Sequence, residues 1–490
     1  MKSPTLGVVA LVLTCAAGVA QASNGEKPTA FAAPAGGRGG VDYAFAEDAT
    51  AAQTNPAGMG FVNDRADYDN AFLLALGNFT NQFGRETLSP QWTLAPFYNA
   101  GVVIDPTAPI HLGDLASDNW GLTAERKPDD YGGPFHIGFG VFTQEGASFT
   151  FRHIQTPFFS PSAVEYRGED ETVSVAPTFA IRLGDMFSFG YSPSFRYSTL
   201  VIDSPIQQPN AGISQSFQTV IPQVMSYAQS HNMQNYGFSQ RFGLKFKSEF
   251  FSGGLVYQDR SYSTDFRGQI VQDSTAGILK IPAFAQAALI QSLNPALGFA
   301  SKYDARLEHH ETPREFGAGV QVSPVSRFSF GLDYTYIMWS EFRRSLQVRL
   351  TNPRNPNFLI LSGPTVQIHE ALDWSDQSVV AVGVQATVLQ GDDIVPGFPS
   401  YKVILRAGYN WAQSPLPKDT MNPALPLLFE HHGSLGFTIA VGPYLEVSNS
   451  VIHGFSSSVK TGTDQANSDL SFSRTSVQDW AVITQLSLKF

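Results

Sequence analysis

The chain of 490 residues has a single cysteine, Cys15, close to its N-terminus. Removal of the segment that carries it leaves neither a disulfide framework nor a thiol nucleophile. Charge is sparse at 15% of residues, and Lys and Arg (31) are outnumbered by Asp and Glu (42), for a net charge of -11. A chain so poor in positive charge is ill suited to a nucleic-acid partner. Beyond residue 22 there is no run of about 18 uninterrupted apolar residues, which rules against a transmembrane helix. Aromatic residues are abundant, with 38 Phe and 17 Tyr, yet the mean hydropathy is only -0.09. Strands that alternate lipid-facing and lumen-facing residues average to such a value, so a barrel can hide in a composition that looks soluble.

Residues 1–22 read as a secretory signal: Lys2 supplies the positive start, Leu6 to Val19 the apolar core, and Ala20-Gln-Ala22 a small-x-small cleavage site. Thr14 precedes Cys15 where a lipidation signal would want Gly, Ala or Ser, so an acylated N-terminus is disfavoured. An exported chain that spans a membrane without a helix must be a closed barrel, because only helices and barrels satisfy their backbone groups in lipid.

Several segments carry the required period of two. Phe187, Phe189, Tyr191, Phe195 and Tyr197 alternate with Ser188, Gly190, Ser192, Ser194 and Arg196. Phe328, Phe330, Leu332, Tyr334 and Tyr336 do the same, as do Tyr401, Val403, Leu405, Ala407, Tyr409 and Trp411. Arginine and lysine in strand centres, opposite an aromatic face, point to a wet lumen. Short turns are expected at 144–148, 183–186, 247–249, 323–327, 390–399 and 441–443. Long connections are expected at 80–134, 154–171, 200–236, 264–314, 343–367, 413–431 and 455–478. Six turns alternating with seven loops predict fourteen strands with both barrel ends on the periplasmic side. Both 69–79 and 91–100 could be the first strand, and the latter is assigned to the first loop.

The last eleven residues place Trp480, Val482, Leu486, Leu488 and Phe490 on one face and Gln485, Ser487 and Lys489 on the other. This ending resembles the C-terminal signature of bacterial outer-membrane barrels, and it implies that Phe490 is an assembly signal read by the barrel assembly machinery. The same segment taken alone also suits the last strand of a soluble sandwich.

Residues 23–66 lack alternation and are rich in Gly, Ala and Pro, so they cannot form a barrel wall. Glu47 and Asp48 fit the N-terminus of a short helix that the Asn55-Pro56 step ends. The stretch Gly39-Gly-Val-Asp-Tyr-Ala-Phe-Ala-Glu-Asp-Ala-Thr-Ala-Ala-Gln-Thr-Asn-Pro-Ala-Gly-Met59 resembles the N-terminal hatch of the FadL family of outer-membrane transporters for hydrophobic compounds, which includes TodX-like proteins. Thr312-Pro-Arg-Glu-Phe-Gly-Ala-Gly-Val320, followed by Asp333-Tyr-Thr-Tyr-Ile-Met-Trp-Ser-Glu-Phe342, resembles its central hairpin. Leu405-Arg-Ala-Gly-Tyr-Asn-Trp-Ala-Gln-Ser-Pro-Leu-Pro417, Ser434-Leu-Gly436 and His453-Gly454 resemble its C-terminal third. The resemblance implies an all-β fold, a transmembrane antiparallel fourteen-stranded barrel (67–490) with a small N-terminal plug (23–66) in which Asp48, Asn55, Pro56 and Ala57 gate. It further implies passive uptake of fatty acids or hydrocarbons: capture by loops, hatch movement and lateral exit into the membrane. The partners expected are a hydrophobic small molecule and outer-membrane lipid or lipopolysaccharide, with the chain a monomer.

Two loops carry apolar residues at helical spacing, so 200–236 and 264–314 are expected to be partly helical. The first has Phe217, Ile221, Val224 and Met225, and the second Phe284, Leu289 and Leu293. They suit a landing site for a hydrophobic ligand, or a lid in which the loops pack on each other. Arg167, Arg306 and Arg314 are candidate partners for a ligand carboxylate. His309-His310-Glu311 and His431-His432 suggest metal ligands, but adjacent histidines on a strand face opposite ways. No nucleophile stands out, and neither enzymatic activity, a cofactor nor a metal is expected. The alternative function is a general polar-solute porin or a structural barrel.

Overall fold

The computed structural model describes residues 23–490 except 88–90, 107–132, 157–158, 160–161, 210–222, 282, 309, 392–399 and 464–469, with backbone alone at 87, 91–97, 207–209, 223–225, 284–285, 288–289 and 292. The proposed signal peptide therefore lies outside the described residues. Fourteen strands close an antiparallel barrel. The first seven are β1 (Arg65–Asn81), β2 (Gln91–Ile104), β3 (Phe135–Gln155), β4 (Ala163–Leu183), β5 (Phe187–Pro209), β6 (Gln223–Lys247) and β7 (Phe251–Gln258). The others are β8 (Glu315–Val325), β9 (Phe328–Ile337), β10 (Gln377–Gly391), β11 (Tyr401–Ala412), β12 (His431–Val441), β13 (Leu445–Lys460) and β14 (Arg474–Lys489). β14 pairs with β1 from Lys489↔Arg65 to Arg474↔Thr80, which closes the ring. No helix among the described residues is long and apolar enough to cross a membrane; the chain crosses with strands.

The period of two decides the wall. On β5, Phe187, Phe189 and Phe195 are exposed on the outer surface while Ser188, Ser192, Ser194 and Arg196 are buried inside. On β14, Trp480, Leu486 and Leu488 face out, whereas Gln485 and Ser487 face in. The outer face is thus apolar and meets lipid, the reverse of a soluble barrel.

Two details of the strand order differ from the expectation, and their effects on the count cancel. Gln144–Ser148 is no turn: β3 runs through it from Phe135 to Gln155, with a register shift against β4 between Thr143 and Glu145. The polar, glycine-containing Gln-Glu-Gly-Ala-Ser run imitates a turn, but here it forms a bulge. Segment 91–104 is not part of a loop but is wall strand β2, paired with β1. The connection from β2 to β3, spanning 105–134, consequently joins the periplasmic ends of its strands.

The extracellular side carries its own lobe. Four further strands, Phe266–Asp273, Ala300–Glu308, Ser345–Thr351 and Thr365–Ala371, extend the sheet outward from β6. Phe266, Ile270, Tyr303, Leu307, Leu350 and Phe358 form their core. The helix Ala283–Ser292 lies in the connection between the first two of these strands.

Candidate transport site

Residues 23–64 lie inside the barrel. They form a short helix, Ala33–Gly37, and two 3-10 turns, Ala49–Ala52 and Pro56–Phe61. Asp48 caps the first turn by accepting the Thr50 N–H at 2.9 Å. Asn55 caps the second by accepting from the Ala57 N–H at 3.1 Å, with Pro56 at the position whose N–H needs no partner. The Asn55-Pro56 step therefore opens a second turn as well as closing the first.

Bonds radiate from this inner segment to strands on every side. The Ala49 N–H donates to Asp67 on β1 at 2.7 Å, and Gln485 on β14 donates to Asp48 at 3.3 Å. Gln144 on β3 donates to Gln53 at 2.6 Å, and the Asn55 amide donates to the Leu244 carbonyl on β6 at 3.1 Å and to the Tyr43 carbonyl at 2.8 Å. Asp333 on β9 accepts the N–H groups of Asp42 (2.6 Å) and Tyr43 (2.8 Å). Arg38, fully buried, pairs with Asp42 at 3.0 Å and with Glu47, and donates to Gln385 on β10 at 2.9 Å. Burial, reinforced by the charges of Asp67 and Asp42, pushes the Asp48 carboxyl up to about 7.

The wall accommodates this close approach with glycines. A Cβ on Gly190 of β5 would lie 2.2 Å from the backbone of Pro56 and Ala57, and one on Gly254 of β7 2.1 Å from the Tyr43 carbonyl oxygen. On β10 and β11, Gly383 and Gly408 would strike Arg38 at 2.4 and 2.1 Å. Backbone thus packs on backbone, which only glycine permits at these distances. A cavity of about 80 Å³ of mixed polarity remains beside the segment, bordered by Asp42, Tyr43, Gln144, Glu145, Arg241 and Glu315 together with Phe31, Ile337 and Val379.

Above the inner segment the lumen is apolar. Phe79 of β1, Phe149 and Phe151 of β3, Tyr166 of β4, Trp339 and Trp374 join Met421, Leu427, Leu428 and Phe429 from the β11–β12 connection in one buried cluster. That connection folds into the mouth, with the Phe429 ring stacked on Phe149 at 6.4 Å. β2 and β3 part at the same level. Their pairing runs only from Ile104↔Ile137 to Asn99↔Phe142. Beyond it, Thr143 is held by side-chain bonds: its N–H donates to Asn99 Oδ1 at 3.1 Å and its hydroxyl to the Tyr98 carbonyl at 2.9 Å. Every residue of β3 from Phe142 to Phe151 is buried. A wall strand buries one face, so β3 turns inward here and leaves an interruption in the ladder.

The residues singled out from the loops are distributed differently. Phe217 and Ile221 lie outside the described residues. Val224 and Met225 are strand, since β6 begins at Gln223, and the described residues of 200–236 are strand rather than helix; the side chains of these two lie outside the described residues. Phe284 and Leu289 belong to the helix Ala283–Ser292, again with side chains not described. Leu293 is buried in the extracellular core with Ile278, Ile281 and Phe358, away from the lumen. The three candidate cations already have acids: Arg167 with Glu169 at 2.8 Å, Arg306 with Asp265, and Arg314 with Glu341 at 2.7 Å and Asp259 at 3.6 Å. His310 lies 3.1 Å from Asp170, near Glu26, but Glu26 is engaged by Arg343 at 2.8 Å. The sequence reading missed the mouth-filling residues Leu427, Leu428 and Phe429. Their signal was an apolar Leu-Pro-Leu-Leu-Phe run in a segment read only as a loop.

The sequence profile of the outer membrane protein transport family OMPP1/FadL/TodX matches residues 131–490. The chain belongs to that family. It is thus an integral outer-membrane barrel of the OMPP1/FadL/TodX kind. No curated protein matches it by sequence. Among solved structures, the toluene transporter TodX of Pseudomonas putida superposes with a TM-score of 0.68 at 13% identity, covering 96% of this chain and 100% of TodX. A Pseudomonas aeruginosa FadL homologue gives 0.65 at 15% identity over 96% and 100%. The Ralstonia pickettii toluene transporter TbuX gives 0.64 at 12% over 94% and 99%. At such identities these likenesses concern the fold, and FadL/TodX membership rests on the profile.

Proposed function

We propose that this protein admits hydrophobic small molecules, monoaromatic hydrocarbons or fatty acids, passively across the outer membrane. The observation that carries the reading is the coincidence of a buried apolar cluster in the mouth with the ladder interruption between β2 and β3, both above a lumen occupied by residues 23–64. In this scheme the extracellular loops collect the solute, which displaces the Phe429 segment and takes its place among the apolar residues of that cluster. The inner segment acts as a plug, and Asp48, Asn55, Pro56 and Ala57 hold it in register. The solute leaves sideways between β2 and β3, driven by transfer from water to lipid at roughly 0.8 kcal/mol per buried CH₂. Solved relatives titled as toluene transporters or monoaromatic hydrocarbon channels support this choice of cargo over a sugar or an ion. A polar-solute porin is disfavoured by the tight packing of the inner segment on wall glycines.

The test is uptake of labelled toluene and oleate by cells with and without the protein. Stimulation of either is expected, and indifference to all apolar solutes overturns the reading. Replacing Asn55 and Pro56 together by Ala and Gly removes the cap and its two carbonyl contacts, so uptake should fall severalfold or ion leakage should rise. An unaltered phenotype would mean that the segment plays no part in gating.

A further inference from the structure

Three wall strands and the final one bring Asn410, His432, Gly454 and Asp479 into a single row, each the cross-strand partner of the next. The side chains of His432, Asp479 and Asn410 are buried, at 0%, 1% and 2% exposure. Gly454 stands between two of them, and its missing side chain lets both close in. A Cβ there would lie 2.0 Å from Asp479 Oδ1 and 3.2 Å from His432 Cδ2, so carboxyl and imidazole approach each other across the glycine.

These groups have open valences. Both ring nitrogens of His432, Oδ1 of Asn410 and both carboxylate oxygens of Asp479 have no hydrogen-bond partner, apart from the Gly454 N–H that faces the carboxylate. Buried polar atoms are ordinarily satisfied, and a cluster of this many is accounted for by a ligand that completes it. The row lies at the margin of the apolar cluster. The Phe429 ring is 6.2 Å from His432, and Asp479 is paired with Ala75, which with Val477 belongs to the cluster.

The balance of donors and acceptors selects the ligand. Asn410 Nδ2 is committed to the Gly39 carbonyl at 3.2 Å. That leaves Asn410 Oδ1 and one imidazole nitrogen able only to accept, the imidazole N–H able only to donate, and the buried Asp479 carboxyl able to accept or, when protonated, to donate. A carboxylate has only acceptors and leaves Asn410 Oδ1 unmet. A hydroxyl matches both needs. We propose that Asn410, His432 and Asp479 bind the hydroxyl of an otherwise apolar substrate, which donates to Asp479 or Asn410 and accepts from His432. The apolar body of the substrate takes the place of the Phe429 ring against Phe149. This deepens the transport reading, on which it rests, by naming hydroxyl-bearing hydrophobic molecules as a preferred class.

The test uses the purified full chain in detergent and calorimetric titration with three probes of matched shape: p-xylene, p-cresol and p-toluate. One well-made hydrogen bond to a buried polar group should favour p-cresol over p-xylene by about tenfold, with p-toluate weakest. Asp479→Leu should abolish the preference while leaving p-xylene within about twofold. Gly454→Ala, whose Cβ would lie 2.0 Å from Asp479 Oδ1 and push the carboxyl out of the row, should do the same and serves if the first variant does not fold. Equal binding of p-cresol and p-xylene, or a preference that survives both variants, overturns the assignment while leaving hydrocarbon transport standing. Binding of p-cresol that depends on Asp479, with no p-xylene binding, supports the site and counts against the wider transport reading.

Discussion

Asp48 illustrates how confinement changes a side chain's task. Its carboxylate accepts the Thr50 N–H and the Gln485 amide, yet it is buried beside the charges of Asp67 and Asp42, which raises it from an ordinary 3.8 to about 7. An unfolded chain releases this proton near pH 4 whereas the folded protein keeps it to about pH 7. Between those values the unfolded state binds fewer protons, so stability contributed by Asp48 falls as pH rises through that window and levels off above it. Asp48→Asn should flatten this decline by up to about 1 kcal/mol per pH unit, read as the temperature at which the barrel loses its compact electrophoretic mobility between pH 4 and 8. An unchanged slope would assign the effect to other carboxylates. Asp48 and Asn55 were legible as turn residues because capping is a local bond between neighbours in sequence. Their long-range partners, Gln485 and the Leu244 carbonyl, were not, since nothing local links residues hundreds of positions apart.

Among elements, β5 and β3 show the two ways a wall strand serves the interior. β5 stays in the wall and offers Gly190 as a flat seat for the second 3-10 turn. Gly190→Val would place branched carbon where the Pro56 and Ala57 backbone now lies, 2.2 Å from a Cβ. The inner segment should detach locally while the barrel, whose lipid face is untouched, still assembles. The measurement is protease cleavage within residues 50–62 from the periplasmic side, expected to be fast in the variant and slow in the parent; equal protection would sink the idea. β3 instead parts from β2 at its bulge while staying paired with β4. Alternation holds in its periplasmic half, where Phe135, Ile137 and Phe139 are exposed. It failed between Phe142 and Phe151, because a strand buried on both faces has no reason to alternate.

For the whole molecule, two segments lie in series within the barrel, residues 23–64 in the lumen and the Phe429 segment in the mouth, and the proposed function makes both of them closures. In a planar bilayer the intact protein should pass almost no steady current. Deleting residues 24–62 should raise the conductance at least about tenfold if the inner segment is the main seal, since a barrel of this strand number is wide enough for an aqueous channel once emptied. Persistently low conductance would place the seal in the β11–β12 connection. The sequence alone determined that the chain crosses a membrane as a barrel and which face of most strands meets lipid; its count of fourteen strands agrees with the structure only because a missed strand at 91–104 offset a false turn at 144–148. Those properties follow from a period of two repeated along the chain, and each repeat is local. Only the tertiary structure decided where the ladder parts, which glycines receive the inner segment, and that His432 and Asp479 meet across Gly454. These depend on which strands become neighbours when the ring closes, and the distance of residues along the chain says nothing of that.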